Sequence, residues 1–360
     1  MIRGSDAKKA FFRQVMATAV VILLSMPAAA QIDSFTDKMV YGTKELIKGT
    51  GTFIENTLDN KDSIYISPNL YNMTIMPQYS YCYEYYRFSS ANSEQSITLS
   101  PGNSHKVGFY IGWRWIFLGY SFDVSNNKPQ NDLNFSFYTS ALGIDLFYRK
   151  RSEGYNVREL KGFHENENNE LKNYNHKFNG LTVKQHGANL YYIFNNKKFS
   201  YPAAYSQSTN QRISAGSFIL GLSYNEQSFI FDHTEFDNPI KEQLDEELKF
   251  KRVNYKDFSI NFGYSYNWVF AKDFVANISM TPAIGYKNTS LKLHNSKELL
   301  SSINFDLITR AAIVYNNSRY YAGASLVSHS YSYTKNSLSI LNGFGVINVY
   351  FGVNFWRKSR

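Results

Sequence analysis

Beyond residue 60, apolar and polar positions alternate with a period of two, in short segments separated by polar stretches. In residues 107–115 every second position is valine, phenylalanine, isoleucine or tryptophan, with glycine, tyrosine or arginine between them. In residues 79–85 tyrosines alternate with Ser80, Cys82 and Glu84. Successive side chains of a strand point to opposite faces, so this pattern predicts strands with one apolar and one small or polar face.

The alternating segments predict an all-β chain, folded as a transmembrane antiparallel up-and-down β-barrel of about twelve strands. In such a barrel only every second residue meets lipid, and bacterial single-chain barrels have an even number of strands. The predicted strands are residues 79–85, 95–100, 107–115, 118–122, 135–148, 188–194, 217–224, 258–270, 274–286, 303–315, 320–333 and 343–355.

The N-terminal segment differs from the rest of the chain. Basic residues precede a short apolar run at residues 15–24, and three alanines follow it at residues 28–30. That order is typical of a secretory signal peptide, here residues 1–30. We expect a partly helical periplasmic arm over residues 31–62, an outer-membrane barrel over 63–356 and a C-terminal overhang over 357–360.

Connection lengths alternate along the predicted barrel. Residues 149–181, 226–257, 287–302 and 334–342 form longer connections, whereas residues 271–273 and 316–318 form tight turns. Outer-membrane barrels place long loops outside and short turns in the periplasm. The alternation therefore predicts that the long connections face the cell exterior, with the medium-length segment 195–212 as an exception on the periplasmic side.

Composition narrows the class of protein further. Aromatic residues make up 17% of the chain and charged residues 19%, and the mean hydropathy is negative, which excludes a helical membrane protein. The net charge is +9, but the sequence contains no recognisable nucleic-acid-binding motif, so nucleic acid is not an expected partner. Expected partners are outer-membrane lipids, lipopolysaccharide, the barrel assembly machinery and small solutes. Cys82 is the one cysteine, so the chain can form no internal disulfide.

Residues 194–221 read FNNKKFSYPAAYSQSTNQRISAGSFILG, residues 112–122 read GWRWIFLGYSF and residues 263–270 read GYSYNWVF. In these segments the chain resembles a domain-of-unknown-function family of predicted Gram-negative outer-membrane β-barrel proteins. The resemblance runs from about residue 63 to 355, and FSYPAAYSQ and SAGSF are its specific part. It implies an envelope location and a barrel, and it implies no activity or catalytic residue.

Two groups of residues are candidates for an internal role. The alternation places Glu84, Arg114 and Asp145 on the lumen face of their predicted strands. The family segment containing Tyr201, Pro202, Tyr205 and Gly216 has a proline that disrupts strand pairing and a run of small residues. We expect it to form a plug in or under the barrel, or an interfacial turn anchored by its tyrosines.

A third group lies in a long loop at the predicted outer mouth. Asp232, His233 and Glu235 could activate water, as Asp/His pairs do in some barrel proteases, or could form a hydrated rim. Ser328 and Ser330 flank His329 on a predicted strand, where neighbours point to opposite faces and cannot readily cooperate. No metal or cofactor is expected, since the histidines show no paired ligand spacing.

These observations favour a non-enzymatic outer-membrane barrel with a structural, adhesive or small-solute passage role. The alternative is a lipase-like or protease-like barrel enzyme acting at the cell surface.

Overall fold

The structure, a computed structural model, describes residues 61–102, 104–113, 116–125, 131–152, 154–166, 169–170, 176–292, 297–335 and 338–358. All of these belong to one compact unit, Leu58–Arg360. The predicted signal peptide, most of the predicted N-terminal arm and Arg114 lie outside the described residues.

The described part of the chain is almost entirely β-structure. Its helices are α1 (Tyr201–Tyr205), α2 (Asn238–Gln243) and the 3-10 turns His233–Glu235 and Glu246–Leu248. No helix of this part is long and apolar enough to cross a membrane. The strands are β1 (Ile66–Pro68), β2 (Tyr71–Ser90), β3 (Ser96–Pro101), β4 (Ser104–Trp113), β5 (Ile116–Asp123), β6 (Asn131–Tyr138), β7 (Leu142–Arg151), β8 (Tyr155–Lys161), β9 (His164–Asn166), β10 (Asn169–Glu170), β11 (Lys177–Phe178), β12 (Leu181–Ile193), β13 (Thr209–Gln211), β14 (Ala215–Phe231), β15 (Arg252–Ala271), β16 (Phe274–Lys292), β17 (Lys297–Asn316), β18 (Tyr320–Lys335) and β19 (Leu338–Arg357).

Twelve antiparallel strands pair into a closed ring. β2 pairs with β19 along one edge and with β4 along the other. Between them the order is β4, β5, β6, β7, β12, β14, β15, β16, β17, β18, β19, so the pairing returns to its start. A closed ring satisfies the backbone hydrogen bonds of every wall strand, which is the condition for a sheet to cross a membrane. The predicted barrel is confirmed.

The two faces of the wall follow the alternation of the sequence. Along β15 buried and exposed residues alternate from Val253 to Trp268. Its outward side chains from Phe258 to Phe270 are aromatic or isoleucine, and each is at least 40% exposed. Phe109 and Ile111 are likewise exposed on β4. An outward apolar band of this kind is typical of the lipid-facing surface of an outer-membrane barrel.

The predicted strand number is right, but two of the predicted strands are wrong. Residues 95–100 were predicted as a wall strand, whereas β3 pairs beside the upper part of β2 outside the ring. Residues 135–148 were predicted as one strand, whereas a turn divides them into β6 and β7. The Thr139 hydroxyl closes that turn by accepting a hydrogen bond from the Leu142 amide at 2.8 Å. One predicted strand lies outside the ring and another forms two wall strands, so the predicted total of twelve strands is unchanged.

The ends of the barrel differ, and we name them by their connections. The turn end carries the tight turns at residues 272–273 and 317–319, and the loop end carries residues 152–180 and 232–251. The longer connections predicted at residues 287–302 and 334–342 are instead mostly strand, because β16 to β19 continue past the apolar band to the loop end.

A hydrophobic core fills the loop end of the barrel, and we call it the cap core. Inward side chains of the wall strands meet side chains of β3, β8, α2 and the second 3-10 turn there. Phe88, Phe178, Phe231 and Phe250 pack ring against ring, with centroids 4.9–5.5 Å apart between Phe231 and each of the other three. The cap core consists of Tyr86, Phe88, Ile97, Leu99, Tyr155, Val157, Leu160, Phe163, Phe178, Leu181, Val183, Phe229, Phe231, Phe236, Ile240, Leu244, Leu248, Phe250, Val253, Tyr255, Leu291, Tyr333, Leu338 and Ile340.

Three loops close over this core and are hydrogen-bonded to one another. The Gln243 side chain accepts from the His164 amide at 2.9 Å and donates to the His164 carbonyl at 2.7 Å. Gln95 donates to the Gln243 carbonyl at 2.7 Å and accepts from the Asp245 amide at 3.0 Å. These paired amides tie the loops before β4, before β12 and before β15 into one lid.

Candidate functional site: the barrel interior

The family segment lies inside the turn end, where it forms a plug. Ser200 begins helix α1 by accepting a hydrogen bond from the Ala203 amide at 3.3 Å, and Pro202 occupies the first turn, where its missing N–H costs nothing. Tyr201, Ala203 and Ala204 are buried. We call residues 195–212 the plug.

Hydrogen bonds attach the plug to the wall on several sides. Tyr205 donates to the Asn277 side-chain oxygen at 2.6 Å, and Gln207 donates to the Tyr350 hydroxyl at 2.9 Å. Asn267 donates to the Ser200 carbonyl at 2.8 Å. These bonds come from β15, β16 and β19, so the plug is attached to several strands of the wall.

Gly216, also predicted for this group, belongs to the wall instead. It lies on the outward face of β14, where a Cβ atom would stand 2.1 Å from the Tyr264 hydroxyl oxygen. Its lack of a side chain lets Tyr264 lie across the strand.

A half-buried ion pair lies directly above the plug. Arg310 donates to the Asp145 carboxylate at 3.2 Å, and both side chains face the lumen. The guanidinium also lies 5.7–5.9 Å from the ring centroids of Tyr191, Tyr201 and Tyr205. Arginine stacks on aromatic rings while it holds a carboxylate, so this pair joins plug and wall.

Glu84 and two arginines form a second charged group nearer the loop end. The Glu84 carboxylate lies 3.8 Å from Arg149 and 4.0 Å from Arg151, and all three side chains face inward. Arg149 also lies over the Phe344 ring at 4.2 Å. Two cations around one carboxylate leave net positive charge beneath the cap core.

Lys287 anchors a third group and is fully buried. Its ammonium lies 3.2 Å from the Asp306 carboxylate and donates to the Ser332 carbonyl at 2.8 Å. The rings of Tyr255 and Tyr331 flank it at 5.2 and 5.8 Å. Lys287 is not among the candidate residues of the sequence, although its inward position follows from the alternation along β16.

The middle of the lumen is less tightly filled than either end. Phe147, Val327, Phe344 and Val346 point inward between the cap core and the plug, yet each remains partly exposed. Inward side chains keep such exposure only where free volume remains beside them. The lumen is therefore packed less densely between the cap core and the plug than at its two ends.

The candidates at the mouth lie at the loop end, and Asp232 has a structural partner. Its carboxylate accepts hydrogen bonds from the Thr234 hydroxyl at 2.6 Å and the Thr234 amide at 3.0 Å. These bonds lower the pKa of Asp232 below its ordinary value. Asp232 thus caps the turn that holds His233 and Glu235, and Glu235 is exposed.

Ser328 and His329 lie on opposite faces of β18. His329 is buried in the lumen and stacks on Phe344 at 4.6 Å. Ser328 faces outward and accepts a hydrogen bond from Tyr83 at 3.1 Å. A nucleophile–base pair is therefore excluded here. In the described part of the chain no cluster of three histidine, cysteine or acidic side chains could hold a metal ion.

Several solved outer-membrane barrels are similar to this chain at low identity. The outer membrane protease OmpT from Escherichia coli is 9% identical, with 80% of this chain and 98% of that chain covered and a TM-score of 0.36. The translocator domain of the autotransporter NalP from Neisseria meningitidis is 8% identical, with 91% and 100% covered and a TM-score of 0.31. The toluene transporter TodX from Pseudomonas putida is 9% identical, with 79% and 90% covered and a TM-score of 0.29.

Scores of this size say nothing about activity. No curated protein matches the chain. The family model described as domain of unknown function DUF4421 matches residues 60–355, which is most of the chain. The chain therefore belongs to the DUF4421 family.

Proposed function

We propose that the protein is a non-enzymatic outer-membrane barrel that is closed at both ends and has a structural or adhesive role. In this proposal the signal peptide is removed, the apolar band lies in the outer membrane and the loop end faces the exterior. The barrel then holds a folded cap at the cell surface.

The cap core is the observation that carries the proposal. A buried phenylalanine or leucine contributes about 1.5–3 kcal/mol when it leaves water. A pathway through the loop end would expose many of the cap-core side chains together, at a cost comparable to the stability of a whole domain. A closure of this kind is a permanent part of the fold, unlike a loop that opens during each transport event.

Small-solute passage is the second candidate, and the partly exposed side chains in the middle of the lumen favour it. The plug is short and is attached by hydrogen bonds, each worth only about 0.5–1.5 kcal/mol. Its displacement would open the middle of the lumen to the turn end. Passage would then still require a route around the cap core.

The enzymatic alternative has less support. Asp232 already accepts two hydrogen bonds within its own turn. A general base needs its carboxylate directed at a substrate proton.

Conductance across a planar lipid bilayer tests the proposal. The full mature protein and a variant with residues 199–208 replaced by a short Gly-Ser linker are compared, with heat-modifiable gel mobility as the control for folding. We expect neither protein to conduct, because the cap core closes the lumen independently of the plug. Stepwise conductance by the unaltered protein would refute closure, and conductance by the linker variant alone would support gated passage instead.

A further inference from the structure

A group of basic side chains lies on the outer wall at the loop end, just beyond the apolar band. Lys150 on β7, Lys184 on β12 and Lys256 on β15 all face outward. Between β12 and β15, β14 contributes Ser228, which is opposite Lys184 in the strand register. The site therefore combines cations with a hydroxyl on adjacent strands of a rigid sheet.

Lys150 and Lys184 are directly opposite each other across the β7–β12 pair. Like charges in that arrangement destabilise a sheet, because their Cβ atoms are only about 4.5–5.5 Å apart. Within the described residues no carboxylate forms an ion pair with either lysine. Lys184 instead lies over the Tyr148 ring at 6.0 Å.

The nearby acid is already engaged by other groups. Glu226 accepts a hydrogen bond from Tyr224 at 2.9 Å and lies 3.6 Å from His186 and 3.8 Å from Lys256. The Glu226 carboxylate is therefore already engaged by these three side chains and does not neutralise Lys150 or Lys184. An external anion between Lys150 and Lys184 would remove their repulsion.

His186 and Glu226 lie directly below Lys184 and Ser228, and below that row the wall is apolar. Tyr224 and Phe258 are opposite each other with ring centroids 4.8 Å apart, and both face outward. Leu146 and Leu222 continue that surface toward the middle of the band. A ligand seated on the lysines would thus have aromatic and aliphatic surface beneath it, which suits an acyl chain and offers nothing to a fully polar anion.

From this arrangement we infer that Lys150 and Lys184, with Ser228, form a binding site for the phosphorylated headgroup of an outer-leaflet lipid. The phosphate oxygens lie between the two ammonium groups, and the acyl chains lie along Tyr224 and Phe258. The site rests on the proposed outer-membrane location, since only there do headgroups meet the wall at this height. It does not depend on whether the lumen is closed.

Binding of bis-phosphorylated lipid A to the purified full-length mature barrel in detergent tests the site, with bound lipid counted by native mass spectrometry. Each surface lysine increases the affinity for an anionic headgroup by about fivefold. We therefore expect the K150Q/K184Q variant to bind about 30-fold more weakly, and K150R/K184R to bind as the unaltered protein does. The unaltered protein should bind dephosphorylated lipid A no more tightly than the K150Q/K184Q variant binds phosphorylated lipid A.

The matched control is K272Q/R319Q, which removes the same charge from exposed positions at the turn end. We expect that variant to bind lipid A normally and inorganic phosphate at millimolar concentration not to compete. Equal binding by K150Q/K184Q and the unaltered protein, an equal loss in the control pair, or full competition by inorganic phosphate would overturn the lipid site. Heat-modifiable mobility confirms that each variant is folded, and the bilayer recordings, which use other variants, test closure separately.

Discussion

An arginine in place of Phe262 should destabilise the barrel far more than an arginine in place of Asn254. Both residues lie on the outward face of β15, eight positions apart. Phe262 lies within the apolar band and stacks on Phe218 with a centroid distance of 5.4 Å. Asn254 lies beyond the band toward the loop end, opposite Ser228.

The geometry of β15 gives the expected difference. From Phe258 to Phe270 the strand rises about 30 Å along the membrane normal, at about 3.3 Å per residue and a tilt of about 40°. Phe262 is about 10 Å inside that band and Asn254 about 10 Å outside it. Arginine costs about 2–4 kcal/mol near the midplane and about 0–1 near an interface. Loss of the stacked ring adds about 0.5–1.5 kcal/mol to the cost of Phe262→Arg.

Urea titration of the barrel refolded in lipid vesicles measures the free energy of unfolding. The unaltered protein, Phe262→Arg and Asn254→Arg are followed by tryptophan fluorescence and heat-modifiable mobility. We expect a loss of about 3–5 kcal/mol for Phe262→Arg and less than about 1 for Asn254→Arg. Equal losses in the two variants would refute the assignment of the apolar band to lipid.

The remaining predictions use the same unfolding assay. Phe231→Ala should cost about 3–5 kcal/mol because it opens a cavity in the cap core. At the outward neighbour, Ile230→Ala should change the free energy of unfolding by less than about 1 kcal/mol. Similar losses in the two variants would contradict a packed cap core. Lys287→Met should cost about 3–5 kcal/mol by leaving the buried Asp306 without its cation, and K287M/D306L should regain most of that loss. A double variant as unstable as the single one would show that the ion pair is not the cause.

Much of the barrel could be predicted from the alternation of residues alone. The period-two pattern in residues 107–113 identified which side chains face outward, and the structure places Phe109 and Ile111 there. The same pattern put Glu84 and Asp145 in the lumen. Side-chain direction follows directly from strand geometry, so a short segment suffices to predict it.

The cap core could not be predicted from the same alternation. Val253 and Tyr255 face inward on β15 just as Asp257 does, yet the first two belong to the cap core. Alternation gives the face of a residue and not its height along the barrel. Helix α1 was missed because five residues are too few to show a helical period.

The partners inside the lumen could not be predicted from sequence. Asp145 and Arg310 are separated by 165 positions, and only closure of the ring brings them together. The turn between β6 and β7 was missed because it contains none of the glycine, proline or asparagine residues that usually mark turns. The Thr139 hydroxyl supplies the hydrogen bond that closes it.

Cysteine labelling on living cells tests the central claim, a membrane-spanning barrel whose loop end faces the exterior, most directly. Cys82 is buried in the lumen, so Glu242→Cys at the loop end and Lys272→Cys at the turn end each add one exposed thiol. With a membrane-impermeant maleimide, we predict labelling at position 242 on intact cells and at position 272 only after the outer membrane is opened. Labelling at position 272 but not at 242 on intact cells, or equal labelling of both, would contradict the account.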